Sequence, residues 1–198
     1  MDGYERRRQK KMERIFEGSF ELFSKYGFPK VSVNEIAQKA KVSPATIYNY
    51  FGTKERLYAE TLTNWMDKQL AKYEVILDSG LSFPEKTKEI MLLEAQNLKI
   101  MADEYPKDPS SETSEWVRMM EGYGEGKVVP FFKKFVELGK QEGYIREDQS
   151  EELTMRYFSM FKNELVRYWE SSSNPEGAAR SLDPLLELFF YGLAGRVT

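Results

Sequence analysis

Two helix-start signals separated by a very short connector constrain this chain more than any other feature. Ser32 with Glu35 three positions later spells a capping box that predicts a helix over Val33–Ala40, and Ser43 followed by Pro44 opens another to Phe51. Only Lys41-Val42-Ser43 lies between them, and Ala37 supplies the small side chain that a close helix crossing needs. Two short helices on such a turn predict a helix-turn-helix. At about 100° per residue, Ile47, Tyr50 and Phe51 share one side of the second helix. Ala45, Tyr48 and Asn49 share the other, with Thr46 on the flank. Asn pairs with adenine edges, and Thr and Tyr hydroxyls reach phosphate oxygens. That outer face has the chemistry to read duplex DNA.

Helical spacing of apolar residues continues through the rest of the chain, and strand-like alternation is scarce. The pattern predicts a first helix over Tyr4–Tyr26 stopped by Gly27, and a long one from a Thr53 cap to Leu77. Others follow over Pro84–Ala102, Glu112–Glu121, Lys127–Glu142, Ser150–Ser171 and Asp183–Gly195. Glu104–Ser111 and Ser171–Pro175 read as a loop and a linker, and Gly122, Gly124 and Gly126 as a broken joint. The expected fold is all-α: a helix-turn-helix DNA-binding domain over 1–53 and a helical effector-binding and dimerisation domain over 54–198.

Composition narrows the chemistry. The 198 residues include no His and no Cys, which removes the Ser–His–Asp triad, the HExxH zinc site and thiolate chemistry. EGYGEGK at Glu121–Lys127 fails as a phosphate loop, because Glu121 and Val128 stand where Gly and Ser or Thr are required. Glu112, Glu115, Glu151 and Glu152 sit near predicted helix N-termini, where the helix dipole accounts for acids. No enzyme activity, metal or cofactor is expected. A charged start and no long apolar run predict a cytoplasmic protein without a membrane partner. Net charge is −3, yet residues 1–60 hold 12 Lys and Arg against 8 Asp and Glu. That basic head, with Arg6, Arg7 and Arg8 at its start, suits a polyanion.

The C-terminal helices are too apolar for single-sided burial. A wide arc on the Ser150–Ser171 helix and a nearly all-apolar last helix predict a homodimer interface at Tyr157, Met160, Tyr168, Leu186, Phe189, Phe190 and Leu193. Polar residues on apolar faces mark a ligand site. Asn97 lies among Ile90, Leu93 and Met101, and Glu164 among Leu153, Tyr157 and Met160. Trp116, Met120 and Tyr123 supply an aromatic and thioether wall, with Trp65 and Phe161 completing the expected pocket for an apolar or aromatic effector.

The stretch Ile15 to Leu62 resembles the DNA-binding domain of tetracycline-repressor (TetR) family regulators. The matching motifs are ELFxxxGF at Glu21–Phe28, VxEIAxxAxVS at Val33–Ser43 and TIYNYFGTKExL at Thr46–Leu57, about a quarter of the chain. The resemblance implies a homodimer whose recognition helices enter successive major grooves of a near-palindromic operator, and a C-terminal cavity whose effector loosens DNA binding. It assigns phosphate contacts to Ser32, Val33, Ser43, Thr46, Tyr48, Tyr50 and Lys54, and base reading to Ala45 and Asn49. Pro44 and Ala45 replace the frequent Lys-Gly, and Lys41 stands where the family usually has glycine for a left-handed turn. The expected function is a ligand-released transcriptional repressor. The alternatives are a DNA-binding regulator with no small-molecule effector and, disfavoured by the missing His and Cys, a helical enzyme acting on an apolar substrate.

Overall fold

The computed structural model describes residues 3–104 and 114–171, together with 184, 185, 188 and 189. Its helices are α1 (Gly3–Tyr26), α2 (Val33–Ala40), α3 (Pro44–Phe51), α4 (Lys54–Leu77), α5 (Phe83–Glu104), α6 (Ser114–Tyr123), α7 (Val129–Gln141) and α8 (Glu151–Ser171). The chain divides into two compact units: Met1–Leu70 with Ile100–Gly124, and Ala71–Lys99 with Glu125–Thr198. The last predicted helix falls outside the described residues, apart from residues 184, 185, 188 and 189, which are helical.

In the first unit, the core gathers one stripe from each of four helices. Ile15 and Phe23 of α1, Ile36 and Ala37 of α2, Ile47 and Phe51 of α3, and Leu57 and Leu62 of α4 are all buried. The core therefore runs past residue 53 into α4. Phe23, Phe28 and Tyr58 form an aromatic cluster with ring centroids 5.0–5.8 Å apart, a packing that adds to plain area burial. Beside it, Trp65 stacks on Phe20 at 5.5 Å. The capping box at α2 is complete: Ser32 N–H and Oγ–H both donate to Glu35 Oε2 at 2.7 Å, and Glu35 N–H donates to Ser32 Oγ at 3.2 Å. Lys41 ends α2 in the left-handed region at φ 55°, ψ 48°, and Val42 N–H donates back to the Ala37 carbonyl at 2.9 Å. This is the Schellman arrangement, built on a lysine.

In the second unit, Leu77, Phe83, Ile90, Phe132, Phe135 and Val136 form the core. Gly139 lets α7 close against it, since a Cβ there would lie 2.6 Å from both Phe83 Cζ and Ile145 Cδ1. Ser82 and Glu85 repeat a capping arrangement ahead of α5, so that helix starts one residue before Pro84. The glycine run differs from expectation. Gly124–Val128 is a π-helical turn leading into α7, not a break. Without Cβ atoms the glycines adopt the wider turn without crowding, and the backbone hydrogen-bond ladder continues.

Candidate nucleic-acid interface

Helix α3 is held by two anchors and free on its far side. Ile47 and Phe51 are each 1 % exposed, and Phe16 meets the Phe51 ring edge-on at 5.7 Å. Ser43 caps the helix by accepting from Thr46 N–H at 3.1 Å, and its hydroxyl shares a 2.9 Å hydrogen bond with Thr46 Oγ1. Pro44, Ala45, Tyr48 and Asn49 are exposed, Tyr48 by 51 %. The predicted division of the wheel therefore stands, with one shift. Tyr50 is half-buried, its ring in edge contact with Phe51 and lying under the Arg8 guanidinium at 5.9 Å.

Several expected phosphate ligands carry internal bonds. The single Ser32 hydroxyl proton goes to Glu35, so what the α2 N-terminus offers an anion is its unpaired backbone N–H groups, beginning at Val33. The Val33 side chain is buried in the core. Hydrogen bonds from the Ser32 hydroxyl and backbone, with Lys54 nearby, hold the Glu35 carboxyl below the usual carboxylate range. Lys54 donates to the Phe28 carbonyl at 2.6 Å and sits 4.2 Å from the Phe28 ring centroid. An ammonium has three donors, so this bond aims Lys54 and leaves it able to take a phosphate. Arg6, Arg7 and Arg8 are exposed on the first turns of α1.

The expected effector residues divide between the units. Trp65 is stacked against Phe20 in the core of the first unit, a packing role rather than a pocket wall. Met120 is half-buried and Tyr123 buried on α6, and the Trp116 side chain lies outside the described residues. In the second unit, Asn97 is 6 % exposed and donates to Tyr73 Oη at 2.6 Å, while Tyr73 donates to Glu94 Oε2 at 2.5 Å. Sequence reasoning missed Tyr73 and Glu94. The i, i+3 spacing of Glu94 and Asn97 on α5 was the available signal.

Glu164 corrects an expectation. It does share a stripe with Leu153, Tyr157 and Met160, but that stripe faces outward: Leu153, Tyr157 and Met160 are 56 %, 48 % and 64 % exposed. Glu164 is exposed with them and pairs with Arg167 at 2.7 Å, so it is no pocket wall. Among the dimer candidates, Phe189 packs within its own chain. Its ring lies 5.0 Å from Tyr157, 5.8 Å from Phe158 and 4.7 Å from Phe161, and its carbonyl accepts from Tyr157 Oη at 2.8 Å. Phe161 is thereby engaged by Phe189. Leu186, Phe190 and Leu193 lie outside the described residues, as does the Tyr168 side chain.

Comparisons with known proteins converge on the same domain. Residues 15–61 match the model of bacterial regulatory proteins of the tetR family. The uncharacterized HTH-type transcriptional regulator YhgD of Bacillus subtilis (strain 168) is 23 % identical over 177 residues, covering 88 % of this chain and 92 % of that protein. Among solved structures, the fatty acid degradation regulator FadR of Bacillus halodurans has a TM-score of 0.70 at 20 % identity, covering 94 % and 97 % of the two chains. FadR of Bacillus subtilis, solved in complex with stearoyl-CoA, has a TM-score of 0.65 at 19 % identity, covering 91 % and 98 %. At these identities the solved structures speak for the fold, all-helical with an N-terminal helix-turn-helix. No helix among the described residues is long and apolar enough to cross a membrane. With its buried anchors, its exposed Asn49 face and the matching domain model, residues 15–61 form a helix-turn-helix domain of the tetR family of bacterial regulatory proteins.

Proposed function

We propose that two copies of this chain pair to form a cytoplasmic repressor that binds a near-palindromic operator and leaves it when a small, largely apolar effector binds. The observation that carries the reading is the exposed Ala45–Tyr48–Asn49 face on a helix fixed by Ile47 and Phe51. Asn49 has the amide to bond an adenine edge, and the Ala45 methyl suits contact with a thymine methyl. Pairing is supported by the outward stripe Leu153, Tyr157 and Met160 on α8, a run of large apolar groups that water covers in the single chain. An effector with a long acyl chain is favoured by the stearoyl-CoA bound to a FadR of the same fold. The half-buried Tyr73–Glu94–Asn97 network offers polar groups for its head.

Selection of duplexes from random DNA tests the DNA-binding half. The wild-type dimer is expected to enrich an inverted repeat, and Asn49→Ala to relax preference at particular positions by about 1–3 kcal/mol per base pair. Titration of the complex with stearoyl-CoA, against coenzyme A alone, tests the other half. Release by the acyl thioester only is the expected result. Unchanged affinity with both compounds favours a regulator with no such effector.

A further inference from the structure

We infer that one face of α1, formed by Arg7, Lys10, Lys11 and Arg14, is a second phosphate-binding track that grips the duplex beside the helix-turn-helix. The inference rests on the DNA-binding reading above and extends it to residues ahead of the stretch that matches the tetR-family model, which begins at residue 15. On the helical wheel these four cations and Tyr4 fall within about 120° of arc. They line, with Tyr50, an open cleft of about 700 Å³ in the first unit. Because Tyr50 belongs to α3 and its ring carries the Arg8 guanidinium, the cleft adjoins the recognition helix itself.

Charge accounting on α1 separates this face from the rest of the helix. Of the four acids on α1, Glu13, which borders the cleft, pairs with Lys68 of α4, Glu21 pairs with Lys39 of α2, and Glu5 and Glu17 do not line the cleft. Neither Arg7, Lys10, Lys11 nor Arg14 makes an ion pair or hydrogen bond among the described residues, and all but half-buried Lys11 are exposed. Like charges at i, i+3 and i, i+4 repel along a helix. That penalty falls away when a polyanion lies along the stripe. From Arg7 to Arg14 the helix rises about 10 Å. With about 3.4 Å of duplex axis per phosphate on one strand, that length spans roughly three phosphates. Hydroxyls of Tyr4 and Tyr50 on the cleft walls add donors to the same oxygens.

The test uses the full chain and a duplex that the wild type selects from random DNA, with a scrambled duplex of equal length. Binding is followed by fluorescence anisotropy between about 50 and 200 mM salt. The variant K10Q/K11Q/R14Q is compared with K72Q/K133Q/K134Q, which removes the same charge from the second unit. The track predicts that the slope of log K against log salt falls by roughly two to three per protomer, at about 0.9 per phosphate. Affinity should drop by the same factor on both duplexes, and the control triple should keep the wild-type slope. A slope equal to the control's overturns the track while leaving the helix-turn-helix reading intact. Loss on the selected duplex alone overturns it too, because phosphate contacts carry no sequence information. A wild type that binds no duplex overturns both readings. If the triple variant melts early, R14Q and K10Q singly are each expected to lower the slope by about one per protomer, and unchanged slopes in both overturn the track.

Discussion

Replacing Lys41 by glycine is expected to stabilise the DNA-binding unit. Lys41 is the one non-glycine residue with positive φ among the described residues, at φ 55°, ψ 48°. The left-handed conformation costs an L-residue roughly 1–2 kcal/mol, because Cβ crowds the following carbonyl oxygen. Glycine has no Cβ to crowd, but it gives the unfolded chain more freedom, which takes back roughly 0.5–1 kcal/mol. The lysine side chain is exposed and makes no bond among the described residues, so its removal forfeits nothing. A net gain of about 0.5–1 kcal/mol remains. The turn geometry itself, with Val42 N–H on the Ala37 carbonyl, should be unchanged. Lys41→Ala is the control, because it removes the side chain and keeps the strained Cβ; it should fall within about 0.5 kcal/mol of wild type. Urea unfolding can be read from Trp65, which stacks on Phe20 inside this unit, in a background where Trp116 and Trp169 are phenylalanine. A glycine variant less stable than wild type refutes the strain argument. So does an alanine variant that gains as much as the glycine.

Phe51→Ala should cost about 3–5 kcal/mol by opening a cavity under α3, and should abolish DNA binding at temperatures where the wild type still binds, as denaturation and anisotropy together will report. Gly139→Ala should destabilise the second unit by about 1–3 kcal/mol, since the new methyl meets the Phe83 ring and Ile145 at once; a neutral thermal shift would mean that both side chains move aside freely. Glu35, held below its usual range by Ser32, stabilises the folded state above the unfolded carboxyl pKa. That contribution is lost as pH falls through the lower folded value, so Glu35→Gln should flatten the acid limb of a stability-against-pH curve, and an identical limb would contradict the role. Met160→Glu places a charge on the outward α8 stripe and should shift the sedimentation mass from two chains to one without unfolding. Phe189 is the wrong place for that experiment, because its ring packs on Tyr157, Phe158 and Phe161 of the same chain.

Local rules settled much of this protein from sequence alone. Capping chemistry acts over three or four residues, so Ser32 with Glu35 and Ser43 with Pro44 were legible and α2 and α3 have the predicted bounds, whereas the left-handed turn at Lys41 was implied only by the family resemblance. Helical periodicity separated Ile47 and Phe51 from Ala45, Tyr48 and Asn49 for the same reason: both faces of one helix are written in one short segment. Tertiary structure decided what a face meets. Glu164 shares its stripe with Leu153, Tyr157 and Met160 as the wheel said, but only packing determines whether such a stripe turns inward or out, and this one turns out. Trp65 looked like a pocket wall until Phe20, 45 positions away in sequence, was found stacked on it. Asn97 finds its hydrogen-bond partner in Tyr73 on another helix, and Lys54 owes its aim to the Phe28 carbonyl, partners that no local pattern names. The glycine run was misread because a permissive residue allows both a break and a π-helical turn, and the flanking helices choose between them. A sequence fixes the period and the caps of each helix, whereas the partner of each face follows from how distant segments fill shared volume.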